Sequence, residues 1–129
     1  MVIEVLIAAS IITVSILAAM AVAQKSVYVS RQAFHTTQAA FLLEEGAENV
    51  RIARDNDWGN VAALDSTEQI GIFTRTIVVS NITRDITTGD IGSSDPDPGT
   101  KLITVAVSWS EGGTIITKTL QFYIADIFS

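Results

Sequence analysis

The sequence predicts an α+β protein: a long N-terminal α-helix, apolar in its first half and amphipathic in its second, packed on a small antiparallel sheet of three to four strands. Residues 5–23 run for 19 positions without a charged side chain. The stretch that follows keeps its apolar residues at helical spacing. The C-terminal part alternates apolar and polar residues between glycine-bearing turns. These observations divide the chain into an apolar helix at 1–23, an amphipathic helix at 24–58 and a globular head at 59–129.

The 129 residues suffice for one domain. Their 48% hydrophobic content is concentrated at the N-terminal end, where Glu4 is the only charged side chain before Gln24. A helix of 19 residues reaches about 28 Å, close to the ~30 Å hydrocarbon core of a bilayer. It lacks the polar face of a globular core helix and the basic n-region of a secretory signal. Ser10, Thr13 and Ser15 can return their hydroxyls to helix carbonyls. A membrane-spanning helix is the reading, continuous through the β-branched run Ile11, Ile12, Thr13, Val14. Lys25 and Arg31 follow the span, so a positive-inside count would leave the C-terminal part in the cytoplasm; a basic leader removed ahead of Met1 would reverse that.

Glu4 is the most informative residue. Either it stays hydrated at headgroup level near the positive end of the helix dipole, or it seeks a cation inside an apolar assembly. The nearest cation is the Met1 amine of the same or a neighbouring chain.

The segment Met1-Val2-Ile3-Glu4-Val5-Leu6-Ile7-Ala8-Ala9 resembles the processed N-terminus of type IV pilins and type II secretion pseudopilins. In that family the Glu neutralises the terminal amine of an adjacent subunit, and a prepilin peptidase removes a basic leader and methylates the amine. Carried over, those roles fall on Glu4 and Met1. The family's Glu is usually the fifth mature residue and here it is the fourth, so either the spacing is one shorter or a residue precedes Met1. Val14 and Val22 stand where the family's helix-loosening Gly and Pro would be sought. The resemblance implies a homo-polymer, a helical filament at the cell surface. Its subunits wait in the inner membrane and are assembled by the pilus machinery, in the service of adhesion or motility. The acidic, loop-bearing head suits a major pilin; a secretion pseudopilin and a non-polymerising, membrane-anchored binding domain are the alternatives.

In the second half of the helix, Ala39, Leu42, Leu43, Gly46, Ala47, Val50 and Ala53 project onto one face and Glu44, Glu48, Arg51 and Asp55 onto the other. Glu48–Arg51 and Arg51–Asp55 have ion-pair spacing. Phe41 and Ile52 lie among the charges, as scattered exposed residues or as contacts to a neighbouring subunit. Gly46 would let the helix backbone approach a sheet closely. Residues 55–60 end the helix, with Gly59 as a left-handed cap.

Residues 60–71 read as a connector with a short helical turn at 61–64. Three strand signals follow. The first covers 72–84. In the second, Ile103, Val105, Val107 and Trp109 form one file. In the third, Ile116, Leu120, Phe122 and Ile124 form another, interrupted by Lys118. Glu111-Gly112-Gly113-Thr114 is a hairpin turn. Residues 87–99 read as a surface loop, whose Asp90, Asp95 and Asp97 are weak calcium candidates because Ca²⁺ prefers oxygen ligands. Asn81-Ile82-Thr83 has the form of a glycosylation sequon inside a strand. His35, the single histidine, reads as a helix-surface residue.

The net charge of −6, without a Lys/Arg cluster, argues against a dedicated nucleic-acid surface. The absence of cysteine removes disulfides, thiolate metal sites and a Cys nucleophile. Without a phosphate-binding loop, nucleophile elbow or HExxH motif, neither catalysis nor a cofactor is expected.

Overall fold

The computed structural model describes residues 1–128, and positions 93 and 94 by backbone only. One helix, α1, runs from Val2 to Asn56. The chain divides into two compact units, Met1–Thr37 and a second beginning at Gln38. The first unit is the apolar part of α1 and the polar turns after it. The expected continuity through Ile11–Val14 is observed, since no break interrupts the helix. Ser10, Thr13 and Ser15 donate to the carbonyls of Ile7, Ala9 and Ile11, each at 2.8 Å, which hides their hydroxyls from an apolar medium.

The second unit contains the end of α1, a short helix α2 (Gly59–Ala62) and a four-stranded antiparallel meander. Its strands are β1 (Ser66–Ile70), β2 (Phe73–Arg84), β3 (Ile91–Glu111) and β4 (Thr114–Ala125), paired in chain order. The predicted inner face of α1 is the packed one. Ala39, Gly46, Ala47 and Val50 are buried, and Leu42, Leu43 and Ala53 partly so. Against them lies the file Ile103, Val105, Val107 and Trp109, all essentially without exposure.

Val50, Val61, Ile77, Ile103, Val105 and Ile124 form one cluster; Ala39, Phe73, Val107 and Trp109 form a second, and Leu43 packs on both. Phe73 meets Trp109 edge-on at 5.6 Å, a favoured aromatic geometry. Gly46 permits the close approach. A Cβ there would stand 2.8 Å from a methyl of Val105.

The β3–β4 hairpin forms where Gly112 and Gly113 stand in the sequence, both at positive φ (57° and 82°) as a tight two-residue turn requires. Other expectations are corrected. The connector holds a strand, β1, and α2 begins at Gly59. Gly59 is not a left-handed cap: it lies outside the positive-φ glycines and donates its N–H to Asp57 Oδ1 at 2.7 Å. The loop at 87–99 is largely strand, because β3 begins at Ile91. Its pairing with β2 jumps from Arg84↔Ile91 to Thr83↔Pro96, and from Ile82↔Asp97 to Asn81↔Lys101. Pro96 and Pro98 therefore fall beside register shifts, in a stretch without a β4 partner, the edge-and-bulge setting in which a sheet tolerates proline.

Candidate functional site

The charge-free stretch of the first unit, residues 5–23, is exposed along its whole length. None of its most apolar 18-residue window is buried, and α1 is, among the described residues, the one helix long and apolar enough to cross a membrane. Met1 and Glu4 are both exposed, with Glu4 in the first turn, where the unpaired N–H groups of the helix favour an anion. An ordered surface of this kind is unfavourable in water: burying one Val, Leu or Ile is worth about 1.5–3 kcal/mol. The segment is compatible with membrane association.

On the head, Phe41 and Ile52 are exposed, as their projection onto the charged face requires. Phe41 borders a shallow groove whose other side is Leu120 of β4, with Glu44, Glu48 and Arg51 around it. Glu48 receives Arg51 at 3.2 Å. The expected Arg51–Asp55 pair is replaced: Arg54 takes Asp55 at 2.8 Å, and the Arg51 guanidinium lies over the Phe122 ring at 5.8 Å.

Compared with known proteins, the chain matches no family model, no curated protein and no solved structure. A long apolar helix whose second half packs on an antiparallel sheet is the pilin-like arrangement that the N-terminal resemblance implies.

Asp90, Asp95 and Asp97 do not gather into a cation site; among the described residues no group of three or more His, Asp or Glu could hold a metal. Asp97 is committed elsewhere. It accepts from Arg84 Nε at 2.8 Å and from the Gly99 N–H at 3.0 Å. Arg84 first, and then Thr100, hold its carboxyl below the usual range. Asp85 is lowered likewise, by the amides of Thr88 and Thr87 that cap its turn. The Asn81 side-chain oxygen accepts from Lys101 Nζ at 2.9 Å. His35 is half-buried, with its ring 6.1 Å from that of Phe34.

Sequence reasoning missed Arg75. It sits in the inner file of β2 between Phe73 and Ile77, only 5% exposed. Its guanidinium pairs with Glu68 of β1 at 2.7 Å and Glu45 of α1 at 3.1 Å, and donates to the Leu42 carbonyl at 3.3 Å. A lone Arg within an apolar file, with acids on both flanking elements, was the available signal.

Proposed function

We propose that this chain is a structural, non-catalytic subunit of a type IV pilus-like filament, of the major-pilin kind. The apolar helix at 1–23 holds it first in the inner membrane and then in the core of a homo-polymer at the cell surface. The observation that carries the reading is an ordered, fully uncovered apolar helix bearing one carboxylate in its first turn. Lipid would satisfy the apolar surface alone. It gives the carboxylate no partner, whereas a neighbouring copy brings the Met1 amine.

Moving such a helix from lipid into a bundle of like helices changes its hydrophobic free energy little, so packing and the Glu4–amine pair supply the specificity. The implied partners are further copies of the chain, a prepilin peptidase that prepares the terminus, and the pilus assembly machinery.

The test is Glu4→Gln. Removing one partner of a buried ion pair costs about 3–5 kcal/mol, a factor of about 100 or more in an assembly equilibrium. Electron microscopy of sheared surface material should show filaments dominated by this chain, and the variant should lose them while its membrane-bound level stays unchanged. A membrane-anchored binding domain would instead tolerate Glu4→Gln, and wild-type-like behaviour of the variant would refute the filament.

A further inference from the structure

We infer that in the assembled polymer the neck of one copy docks on the head of a second copy, placing Arg31 against Glu44 at the rim of the groove between Phe41 and Leu120. This rests on the filament reading and specifies which faces of two subunits meet.

Charge is segregated along the chain. Glu4 is the only acid ahead of Glu44, and the only Lys or Arg residues in that stretch are Lys25 and Arg31. The other four arginines are all ion-paired within their own chain: Arg51 to Glu48, Arg54 to Asp55, Arg75 to Glu45 and Glu68, and Arg84 to Asp97. Among the described residues, Arg31 has no such partner. Around the groove, Glu48 is taken by Arg51 and Glu45 by Arg75, while Glu44 has no ion-pair partner among the described residues. Arg31 and Glu44, each outside the ion pairs found among the described residues, therefore lie on two separate surfaces.

Their surroundings match as well. Val27 and Phe34, four and three residues from Arg31 on the same side of the helix, are both exposed. Glu44 is flanked by Phe41, 67% exposed, and across the groove by Leu120, 37% exposed. A guanidinium between two apolar side chains faces a carboxylate between two others. An ion pair in open water contributes little, but here docking would cover the apolar flanks and exclude water around the pair. The contact joins different faces of the two copies, so it propagates along an open helical array. It complements the Glu4–amine contact.

The chain has no cysteine, so introduced thiols report on one contact only. Filaments of a chain carrying Arg31→Cys and Glu44→Cys should give, on mild oxidation, a covalent ladder extending beyond dimers. Arg31→Glu or Glu44→Arg alone should lower filament yield about tenfold or more by setting like charges together, and the two combined should restore it. If wild type forms filaments but those of the double-cysteine chain give no ladder, or single reversals leave the yield unchanged, the inference is overturned and the filament reading stands. Single reversals that block assembly without rescue by the double variant would also overturn it, pointing to a different partner. If wild type forms no filaments, both fall.

Discussion

Ile7 and Ile103 are the same side chain in opposite surroundings. Ile7 is 55% exposed on the N-terminal helix, and Ile103 has no exposure at the centre of the sheet's inner face. The head follows the usual logic of a small domain: alternation in β3 turns every second residue onto α1, and burial there sustains the fold. The N-terminal unit has its secondary structure from helix propensity and backbone bonding alone, with its apolar surface uncovered. One unit is finished by intramolecular packing, whereas the other leaves its apolar surface uncovered, an arrangement compatible with membrane association.

The sharpest way to break that comparison is to delete the same methyl groups from each unit. Ile103→Ala removes fully buried carbons and should destabilise the head by about 2–5 kcal/mol, read as a lowered midpoint in denaturant. Ile7→Ala should leave that midpoint within about 0.5 kcal/mol of wild type, since Ile7 is exposed on the N-terminal helix. An equal effect of both would mean that the N-terminal helix contributes to the folding unit and is not an uncovered stem.

A second perturbation concerns the closest approach of helix and sheet. Gly46→Val places branched carbons where a Cβ alone would stand 2.8 Å from Val105 and 3.3 Å from the Arg75 side chain. Overpacking of this kind costs about 1–3 kcal/mol, and separating α1 from β2 would also strain the Arg75–Glu45 pair. An unchanged melting temperature would show that the layers can part at no expense.

What was legible in the sequence follows the same division. The apolar helix, the Ala39–Val50 face, the alternating file of β3 and the Gly112–Gly113 hairpin depend on local pattern, and local pattern is what a sequence displays. β1 was not legible, because Ser-Thr-Glu-Gln-Ile has no apolar alternation. It is ordered by pairing with β2 and by Arg75 reaching Glu68. The stretch from Ile91 to Gly99 looked like a loop on its prolines and aspartates. Distant partners hold it: Trp58 Nε1 donates to the Pro98 carbonyl at 3.1 Å, and the Asp126 N–H donates to that of Gly99 at 2.9 Å. The assembly candidates Met1 and Glu4 were legible because a lone charge in an apolar run is conspicuous. Leu120 as the wall of a groove was not, since it depends on how far α1 covers β4.

The smallest expected effect sharpens the contrast by pH. Asp97 is held below the normal carboxylate range by Arg84, which also donates to the Gly89 carbonyl at 2.8 Å and so clamps the β2–β3 connection. A carboxyl whose native value is depressed contributes stability above its unfolded value of about 3.9 and loses that contribution as pH falls through the lower native value. Asp97→Asn should therefore melt slightly below wild type at neutral pH, and the gap should close on acidification below about pH 4. Asp85, depressed by backbone amides, should behave in the same direction. Acid should therefore weaken the head through this connection. A gap that persisted unchanged below the carboxylate range would mean that Asp97 acts through shape rather than charge, and that the bulged stretch of β3 is held by Trp58 and Asp126 alone.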